Sequence, residues 1–314
     1  MSNEFSLPYI SAHEVEAAFP LAIAMETQRE VFSAFDRGEA VMGKRGVIPN
    51  GTDASFAYVA RSSPNGPTIV KFGSVTNSNA ARNLPVVHAY ISILDSTTGA
   101  IGCFIDGESV TRIRTTAASM VAAQQLASQT QTIAVVGAGI QGIAHARAAL
   151  ELFSPERLLI VTRTSSSEAH ALASEFPQIE IIHDIEVALR EADLIFLCTN
   201  AISPVVNSPL RKGITIISIG SFSPNREEIS GAVVSQADLI FGDDSQTIQT
   251  QSGSIISGLL VDAHLDGKIT SLGALLNNPS LGRKNLDQVI LYFSVGLGIQ
   301  DAAIVEKYFK LKKI

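Results

Sequence analysis

A glycine-rich segment near the middle of the chain has the spacing of a phosphate-binding loop. Gly137-Ala138-Gly139-Ile140-Gln141-Gly142 is a complete G-x-G-x-x-G pattern between the apolar run TIAVV and a segment of helix formers. In that context the first glycine permits a tight turn, the second lets the backbone approach a pyrophosphate, and the third lets helix and strand pack closely. A glycine-rich turn without a ligand is the alternative. We predict a dinucleotide site with these contacts from the loop: Gly137, Gly139, Ile140, Gln141 and Gly142.

The end of the next predicted strand indicates which dinucleotide is bound. A site for NAD usually has Asp or Glu about 20 residues past the glycines, where the carboxylate binds the ribose 2′-hydroxyl. This chain has Thr162-Arg163-Thr164 after Val161, and the planar guanidinium of arginine suits a 2′-phosphate. We therefore expect NADPH, with NADH as a weaker alternative, and contacts from Thr162, Arg163 and Thr164. In the other interpretation Arg163 is solvated at the surface and the serines that follow only cap a helix.

Two basic residues stand where a cation is unusual. Lys71 interrupts the apolar segment TIVKF, so its charge lies either on a solvent face or in a site. Arg114 is in the first turn of a helix predicted over residues 111–126, where the helix dipole disfavours positive charge. An anionic ligand nearby would account for the placement of Arg114.

The first third of the chain mixes helix and strand patterns. Ser11 and Glu14 have the spacing of a capping box, and an apolar periodicity continues toward Phe35. Residues 111–126 are rich in helix formers and small residues. Between these two helices, four segments bounded by turn residues have the composition of strands: FAYVA (56–60), TIVKF (68–72), VVHAYISILD (86–95) and GCFID (102–106).

A different rhythm begins at Thr132. Continuous Val/Ile/Leu runs alternate there with helix-forming segments, as in a parallel sheet that is covered on both faces. The alternation predicts a doubly wound α/β domain of the Rossmann type over residues 127–285. The tail at 289–313 (VILYFSVGLGIQDAAIVEKYFKLKK) is predicted to be one final helix, basic at its C-terminal end.

The composition argues against several classes of function. The 314 residues include 23 Lys and Arg and 30 Asp and Glu, a net charge of −7, whereas nucleic-acid and anionic-membrane binding need a basic face. The N-terminus lacks the pattern of a signal peptide, and no stretch reaches the ~18 apolar residues of a membrane helix. Cys103 and Cys198 lie in apolar runs without metal-ligand spacing, which predicts buried free thiols. We expect a cytoplasmic protein without a metal, nucleic-acid or membrane partner.

Four motifs occur in a fixed order along the chain: Asn79–Pro85 (NAARNLP), Arg114–Ser119 (RTTAAS), Gly137–Gly142 (GAGIQG) and Ser294–Gly296 (SVG). Together they resemble the ornithine cyclodeaminase/mu-crystallin family over nearly the whole chain. The resemblance implies a homodimer with a doubly wound parallel-sheet, NADP(H)-binding Rossmann domain at 127–285. It also implies that this domain is inserted in an α+β substrate-binding and dimerisation domain, formed by residues 1–126 plus 286–314.

The same resemblance implies roles for individual residues. The family handles α-amino or α-imino acids, and Arg45, Lys71 and Arg114 match its positions around the substrate carboxylate and the reacting carbon. Arg45 and Arg114 would bind the carboxylate. Lys71 would be the catalytic residue, which orients the imine and relays a proton. Thr115 resembles a contact to the cofactor phosphate, and Ser294 a further cofactor contact.

One position departs from the cyclodeaminases. They have an Asp after the strand that here ends Ile219-Gly220-Ser221, and this chain has Phe222, which cannot take or give a proton. The family's Glu near FAYVARSS also has no obvious counterpart. The Gly-Ser-Phe-x-Pro turn resembles the branch that reduces cyclic ketimines.

The sequence therefore predicts an NADPH-dependent oxidoreductase that acts on a C=N bond. Its substrate would be Δ1-pyrroline-2-carboxylate, Δ1-piperideine-2-carboxylate or both, reduced to L-proline or L-pipecolate. Two alternatives stay open. One is an ornithine or lysine cyclodeaminase or an alanine dehydrogenase, and the other is a non-catalytic, NADPH-dependent binding protein of the mu-crystallin type.

Overall fold

The computed structural model describes residues 7–51, 53–82, 84–95 and 97–313, without the side chain of Ala80. Asn83 of the Asn79–Pro85 motif and residues 1–6 of the N-terminal segment lie outside these ranges. The chain divides into two compact units. The first consists of Met1–Arg114 with Leu297–Ile314, and the second of Thr115–Gly296.

The first part of the chain contains, in order, β1 (Tyr9–Ile10), α1 (Ala12–Ala18), α2 (Leu21–Asp36), β2 (Val41–Met42), β3 (Gly46–Asn50), β4 (Asp53–Arg61), β5 (Thr68–Val75), a 3₁₀ helix (Asn77–Arg82), β6 (Val87–Leu94), β7 (Ile101–Asp106) and α3 (Gly107–Leu126). The four predicted strands are β4, β5, β6 and β7. The capping box of Ser11 and Glu14 is present at the start of α1. The single helix expected from there to Phe35 is two helices, because α1 ends at Ala18 and Pro20 precedes α2.

The remainder contains β8 (Thr132–Val136), α4 (Ile140–Phe153), β9 (Arg157–Val161), α5 (Ser167–Glu175), β10 (Ile179–Ile182), α6 (Ile185–Glu191), β11 (Leu194–Leu197), β12 (Thr215–Ser218), α7 (Gly231–Val234), β13 (Leu239–Gly242), α8 (Ser245–Gln251), α9 (Gly253–Val261), a 3₁₀ helix (Ala263–Lys268), β14 (Ile269–Ser271), α10 (Leu272–Asn277), a 3₁₀ turn (Pro279–Leu281), β15 (Ile290–Phe293) and α11 (Gly298–Lys312). None of the helices in the described ranges is long and apolar enough to cross a membrane.

The first unit is built on a mixed sheet in the order β1-β7-β6-β5-β4-β2, with β3 also paired to β4. Lys71 on β5 lies opposite Tyr58 on β4 and Ile91 on β6, and the side chains of all three are buried. The last helix, α11, packs against β4 and β5. Lys71 therefore belongs to the buried face of the sheet, and the solvent-face interpretation is wrong.

The second unit is built on an eight-stranded sheet, all of whose pairings are parallel, in the order β10-β9-β8-β11-β12-β15-β13-β14. The strand order reverses at β8, which lies between β9 and β11. Open α/β sheets bind ligands outside the carboxyl ends of the strands at such a switch point. The doubly wound α/β fold expected from the alternation is confirmed.

One prediction for this region is wrong. Ile290–Phe293, which we expected to begin the final helix, is the strand β15 between β12 and β13, and the helix starts only at Gly298. All four residues of β15 are buried. A short apolar run of this kind has no periodicity that separates a buried strand from a buried helix.

The division between the units also lies elsewhere than expected. It falls at Arg114/Thr115 and Gly296/Leu297, against the expected 126/127 and 285/286. Hydrogen bonds explain part of the difference. The carbonyl of Leu126 accepts from Thr215 Oγ1 at 3.2 Å and from Arg283 Nε at 3.1 Å, which attaches the end of α3 to the parallel sheet.

Candidate active site

The glycine loop connects β8 to α4 at the switch point of the parallel sheet. Gly137 has a φ of +103°, and a Cβ there would lie 2.6 Å from the carbonyl oxygen of Cys198. A Cβ on Gly142 would lie 1.8 Å from the carbonyl oxygen of Gly137. The fold itself therefore requires Gly137 and Gly142.

Gly139 is different, because its missing side chain is not explained by packing. It is the N-cap of α4 with a φ of −81°, and a Cβ there would meet no atom within 4 Å. The next residue, Ile140, is 73 % exposed, and the Oε1 atom of Gln141 is buried without a hydrogen-bond partner in the structure. Open space at the N-terminus of a helix, where backbone N–H groups lack partners, fits the pyrophosphate of a dinucleotide.

The residues predicted to choose the dinucleotide follow β9 at the same edge of the sheet. Thr162 Oγ1 donates to the carbonyl of Thr164 at 2.8 Å, which fixes the turn. Arg163 is exposed, and no carboxylate of the described part of the chain forms an ion pair with it. Ser166 caps α5 by accepting from the N–H of Ala169 at 3.2 Å. The capping role foreseen for the serines is thus confirmed for Ser166, while the guanidinium of Arg163 stays available.

Ser294 lies just past β15, where a buried carboxylate holds its loop. Asp243 accepts from Ser294 Oγ at 3.3 Å and from the N–H groups of Val295 and Gly296 at 2.9 and 2.7 Å. Burial raises the pKa of Asp243 to about 6. Thr115, a further predicted dinucleotide contact, is a buried residue of α3 whose carbonyl accepts from Ser119 Oγ.

Glu228, which sequence reasoning missed, fixes the loops after β11 and β12. Its Oε1 atom accepts from the N–H and Oγ1 of Thr199, and its Oε2 atom accepts from Ser218 Oγ and the N–H of Gly220, all at 2.7 Å. Burial raises the pKa of this carboxyl to about 7. In the sequence Glu228 lies in a polar segment that looks solvated, so no local pattern distinguishes it.

Phe222 lies in the loop after β12 and is 36 % exposed. The guanidinium carbon of Arg226 stands 4.8 Å from the centre of its ring, a cation–π contact. The position at which the cyclodeaminases have a carboxylate is therefore occupied by an aromatic group that only packs.

The three predicted substrate contacts lie together in the first unit around a carboxylate that we did not predict. Lys71 Nζ donates to Asp301 Oδ1 at 2.7 Å, and Arg114 Nε is 3.6 Å from the same oxygen. Tyr58 donates from its hydroxyl to Asp301 Oδ2 at 2.7 Å. The guanidinium of Arg45 stands 5.4 Å from the centre of the Tyr58 ring. We call these five residues the cation cluster.

Burial and mutual charge set the ionisation of the cation cluster. Burial lowers the pKa of Lys71 to about 8; the carboxylate of Asp301 opposes this effect, whereas Arg114 and Arg45 add to it. Burial alone would raise the pKa of Asp301, but Lys71 and Arg114 bring it below its ordinary value. Burial, helped by the Asp301 charge, raises the pKa of Tyr58 well above its usual range.

The cation cluster is suited to bind an anion. Two of its basic side chains, Lys71 and Arg114, are only 2 % and 8 % exposed and share the single carboxylate of Asp301. Arg114 Nε is buried without a hydrogen-bond partner in the structure. Buried charge is costly unless it is paired, so the excess of positive charge favours a negatively charged ligand.

A sequence signal for Asp301 existed. It is a single acid in the apolar and small-residue run GLGIQDAAIV, just as Lys71 is a single base in an apolar strand. The two positions are 230 residues apart, and only the fold pairs them.

Comparisons with known proteins bear on the family of the chain and on its fold. The model of the ornithine cyclodeaminase/mu-crystallin family matches residues 10–309. The chain belongs to this family. The expected family resemblance is thus confirmed, and the family model covers both units.

Relatives within the family carry names that specify a reaction. Over 308 residues the chain is 25 % identical to the Δ1-pyrroline-2-carboxylate reductase of Bacillus cereus. This match covers 95 % of this chain and 94 % of the relative. It is 24 % identical to the Δ1-pyrroline-2-carboxylate/Δ1-piperideine-2-carboxylate reductase of Azospirillum brasilense, with 95 % and 93 % covered. The Thermococcus litoralis Δ1-pyrroline-2-carboxylate reductase, solved with NADH and L-proline, shares the fold with a TM-score of 0.90 at 24 % identity, over 97 % of both chains.

The glycine loop allows a test that separates fold from ligand binding. Gly139→Ala should leave the free energy of unfolding nearly unchanged, because the added methyl group meets open space. It should weaken dinucleotide binding about tenfold or more, equal to roughly 1.4 kcal/mol, because the backbone can no longer approach the pyrophosphate closely. Fluorescence titration with NADPH and NADH measures the affinity, and urea unfolding measures the stability.

Gly142→Ala is the matched control. Its methyl group collides with the backbone of Gly137, so it should lower the free energy of unfolding by about 1–3 kcal/mol. If Gly139→Ala binds both dinucleotides as the wild type does, the loop does not hold their phosphates.

Proposed function

We propose that the protein is an NADPH-dependent reductase of a cyclic ketimine. The substrate is Δ1-pyrroline-2-carboxylate, Δ1-piperideine-2-carboxylate or both, and the product is L-proline or L-pipecolate. The observation that carries the proposal is the cation cluster in a chain whose relatives are named as reductases of these two imines. The substrates combine a carboxylate with a C=N bond, and the cluster offers a group for each.

Different side chains of the cation cluster bind the carboxylate and the imine nitrogen of the substrate. Arg45 and Arg114 bind the substrate carboxylate, and the planar guanidinium fits its two oxygens. Lys71 donates a hydrogen bond to the imine nitrogen, which holds the C=N carbon electrophilic, and supplies the proton that the nitrogen needs when it becomes an amine. Preorganised charges of this kind stabilise a transition state without reorganisation. The nicotinamide, when bound, supplies the hydride.

The dinucleotide is held by the second unit. Gly137, Gly139, Ile140, Gln141 and Gly142 surround its pyrophosphate, and Thr115 and Ser294 add contacts. Thr162, Arg163 and Thr164 receive the 2′-phosphate, which makes NADPH the preferred cofactor over NADH. Support for the preference comes from the exposed guanidinium of Arg163, which forms no ion pair among the described residues, and from the absence of an acid after Val161. We assign substrate binding and dimerisation to the first unit.

The homodimer forms through the outer face of the first sheet. The register aligns Ala57, Phe72 and Tyr90 on the face opposite to Lys71, and Phe72 and Tyr90 are 39 % and 44 % exposed. Val59, on the same face, is 45 % exposed. Contiguous exposed apolar groups on a sheet mark a protein interface, and a second copy offers an identical face.

The reductase is distinguished from its rivals by a substrate panel. Purified protein should oxidise NADPH with pyrroline, piperideine or thiazoline carboxylates and should not release ammonia from ornithine, because Phe222 cannot act as a base. Pyruvate with ammonia tests for alanine dehydrogenase. Turnover of a cyclic imine excludes a protein that only binds NADPH, whereas robust ammonia release from ornithine would overturn the assignment.

Lys71→Met tests the catalytic assignment. The side chain keeps its length and loses its charge, so kcat/KM for the imine should fall about 10²–10⁴-fold through the lost contact and proton transfer. The affinity for NADPH should stay unchanged, because the dinucleotide contacts lie in the second unit. Lys268→Met, at an exposed position, is the control. Normal imine reduction by folded Lys71→Met protein would remove Lys71 from the site.

Arg163→Ala tests cofactor choice. The KM for NADPH should rise about ten- to a hundredfold, because a charge-assisted contact contributes about 1.5–3 kcal/mol, while the KM for NADH changes little. Arg190→Ala, which removes a surface guanidinium paired with Glu191, should affect neither value. An unchanged ratio of the two KM values would show that Arg163 is only a surface residue.

Phe72→Glu tests the dimer. Light scattering should give twice the chain mass for the wild type and the mass of one chain for the variant, because a charge on the apolar face cannot be buried unpaired. Leu260→Glu, at a site that is 85 % exposed in the second unit, should remain a dimer. A monomeric wild type, or a dimeric Phe72→Glu protein, would rule out this interface.

A further inference from the structure

We propose that Asp301 is a positioning residue, which keeps the ammonium group of Lys71 charged and aims its remaining N–H group at the substrate. This inference rests on the proposed function. It assigns a role to a carboxylate of the last helix that sequence reasoning did not find.

The geometry around Asp301 leaves each of its oxygens with one strong donor. Oδ1 accepts from Lys71 Nζ and Oδ2 accepts from the Tyr58 hydroxyl, both at 2.7 Å. Asp301 is completely buried, in the first turn of α11, where the helix dipole stabilises a negative charge. The carboxylate is therefore held by donors from two strands, β5 and β4, and by its own helix.

Lys71 has one donor left over. An ammonium group carries three N–H donors. In the described part of the chain, Asp301 Oδ1 accepts one of them and Thr111 Oγ1 accepts a second. With two donors fixed, the third has one direction in which to point. A group held in this way is already oriented to donate a proton to an imine nitrogen, so no conformational freedom is lost when it does so.

The charge of Lys71 also depends on Asp301. The ionisable groups that face the ammonium are Arg114 from α3, Arg45 from the segment before β3, Tyr58 from β4 and Asp301 from α11. Of these, only Asp301 is negatively charged at neutral pH, and the two arginines disfavour a third cation. Burial already lowers the pKa of Lys71 to about 8. Without the Asp301 carboxylate, burial and the two arginines would lower the pKa of Lys71 further.

A purely structural ion pair would have all of its donors satisfied by the fold and would not need a ligand. Replacing a buried pair with apolar groups is often harmless to stability, because desolvation offsets the attraction. Here the pair sits beside Arg114, whose Nε atom is buried without a hydrogen-bond partner in the structure. Unused donors on both cations indicate that the cluster is completed by a ligand rather than by the fold.

Asp301→Asn is the decisive variant, and its first readout needs no turnover. The pKa of Lys71 is measured by ¹⁵N NMR of the lysine Nζ atoms, with the signal assigned by its loss in Lys71→Met. The variant should lower this pKa by about 1–3 pH units, the effect of one opposite charge at contact distance. Asp287→Asn, the same change in a surface pair with Lys212, should leave it unchanged.

The second readout is the pH profile of kcat/KM for the imine. The wild type should lose activity as the pH rises through about 8, where Lys71 loses its proton. In Asp301→Asn this decline should move to lower pH, so activity at pH 7.5 drops about 3- to 240-fold for a pKa shift of about 1–3 units and recovers in part at pH 6. In the Lys71→Met background, Asp301→Asn should change kcat/KM by less than a factor of two to three, because Asp301 acts through Lys71.

The outcomes separate the two proposals. An unshifted Lys71 pKa and pH profile in Asp301→Asn, or an equal loss in both backgrounds, would overturn the role of Asp301 even if the imine is reduced. A shifted pKa without imine reduction by the wild type would overturn the proposed function instead. If Asp301→Asn does not fold, Asp301→Glu keeps the charge and moves it. It should retain the wild-type decline near pH 8 with a lower kcat, and a decline below pH 7 would contradict the proposal.

Discussion

The contact between Lys71 and Asp301 is the constraint that most shapes the first unit. A lysine on the buried face of a sheet loses its hydration, and the loss is tolerated only if an opposite charge arrives in good geometry. In this chain the opposite charge comes from α11, the last helix, so this helix must pack against the sheet that carries Lys71. The second unit, Thr115–Gly296, lies in the sequence between the two segments that form the first unit.

The three buried carboxylates among the described residues show how surroundings divide structural from chemical roles. Glu228 and Asp243 accept hydrogen bonds mainly from backbone N–H and hydroxyl groups, and burial leaves their pKa values raised. Asp301 is equally buried, but Lys71 and Arg114 lower its pKa. The first two tie together loops at the carboxyl edge of the parallel sheet. Asp301 instead holds Lys71 and Arg114, whose positive charges are suited to bind a substrate anion.

Local patterns were sufficient for much of this structure and failed in a consistent way. The glycine loop, the strands β4 to β7, the parallel-sheet fold and the cations Arg45, Lys71 and Arg114 could be found because each depends on a few neighbouring residues or on a family motif. The partners of Asp301 and Glu228 could not be predicted, because Lys71 is 230 residues from Asp301 and Thr199 is 29 residues from Glu228. The strand β15 failed for a related reason, since four apolar residues gain their strand identity only from the neighbours β12 and β13.

The loop after β12 bears on which reaction of the family this chain can catalyse. The cyclodeaminases that the sequence resembles have an Asp at the position of Phe222, and a phenyl ring cannot take or give a proton. Glu228, in the same segment, cannot replace it, because four hydrogen bonds occupy both of its oxygens and the side chain is fully buried. Reduction of a ready-made imine makes no such demand on this loop. It needs a fixed anion site and one proton at the nitrogen, and the cation cluster contains groups suited to both.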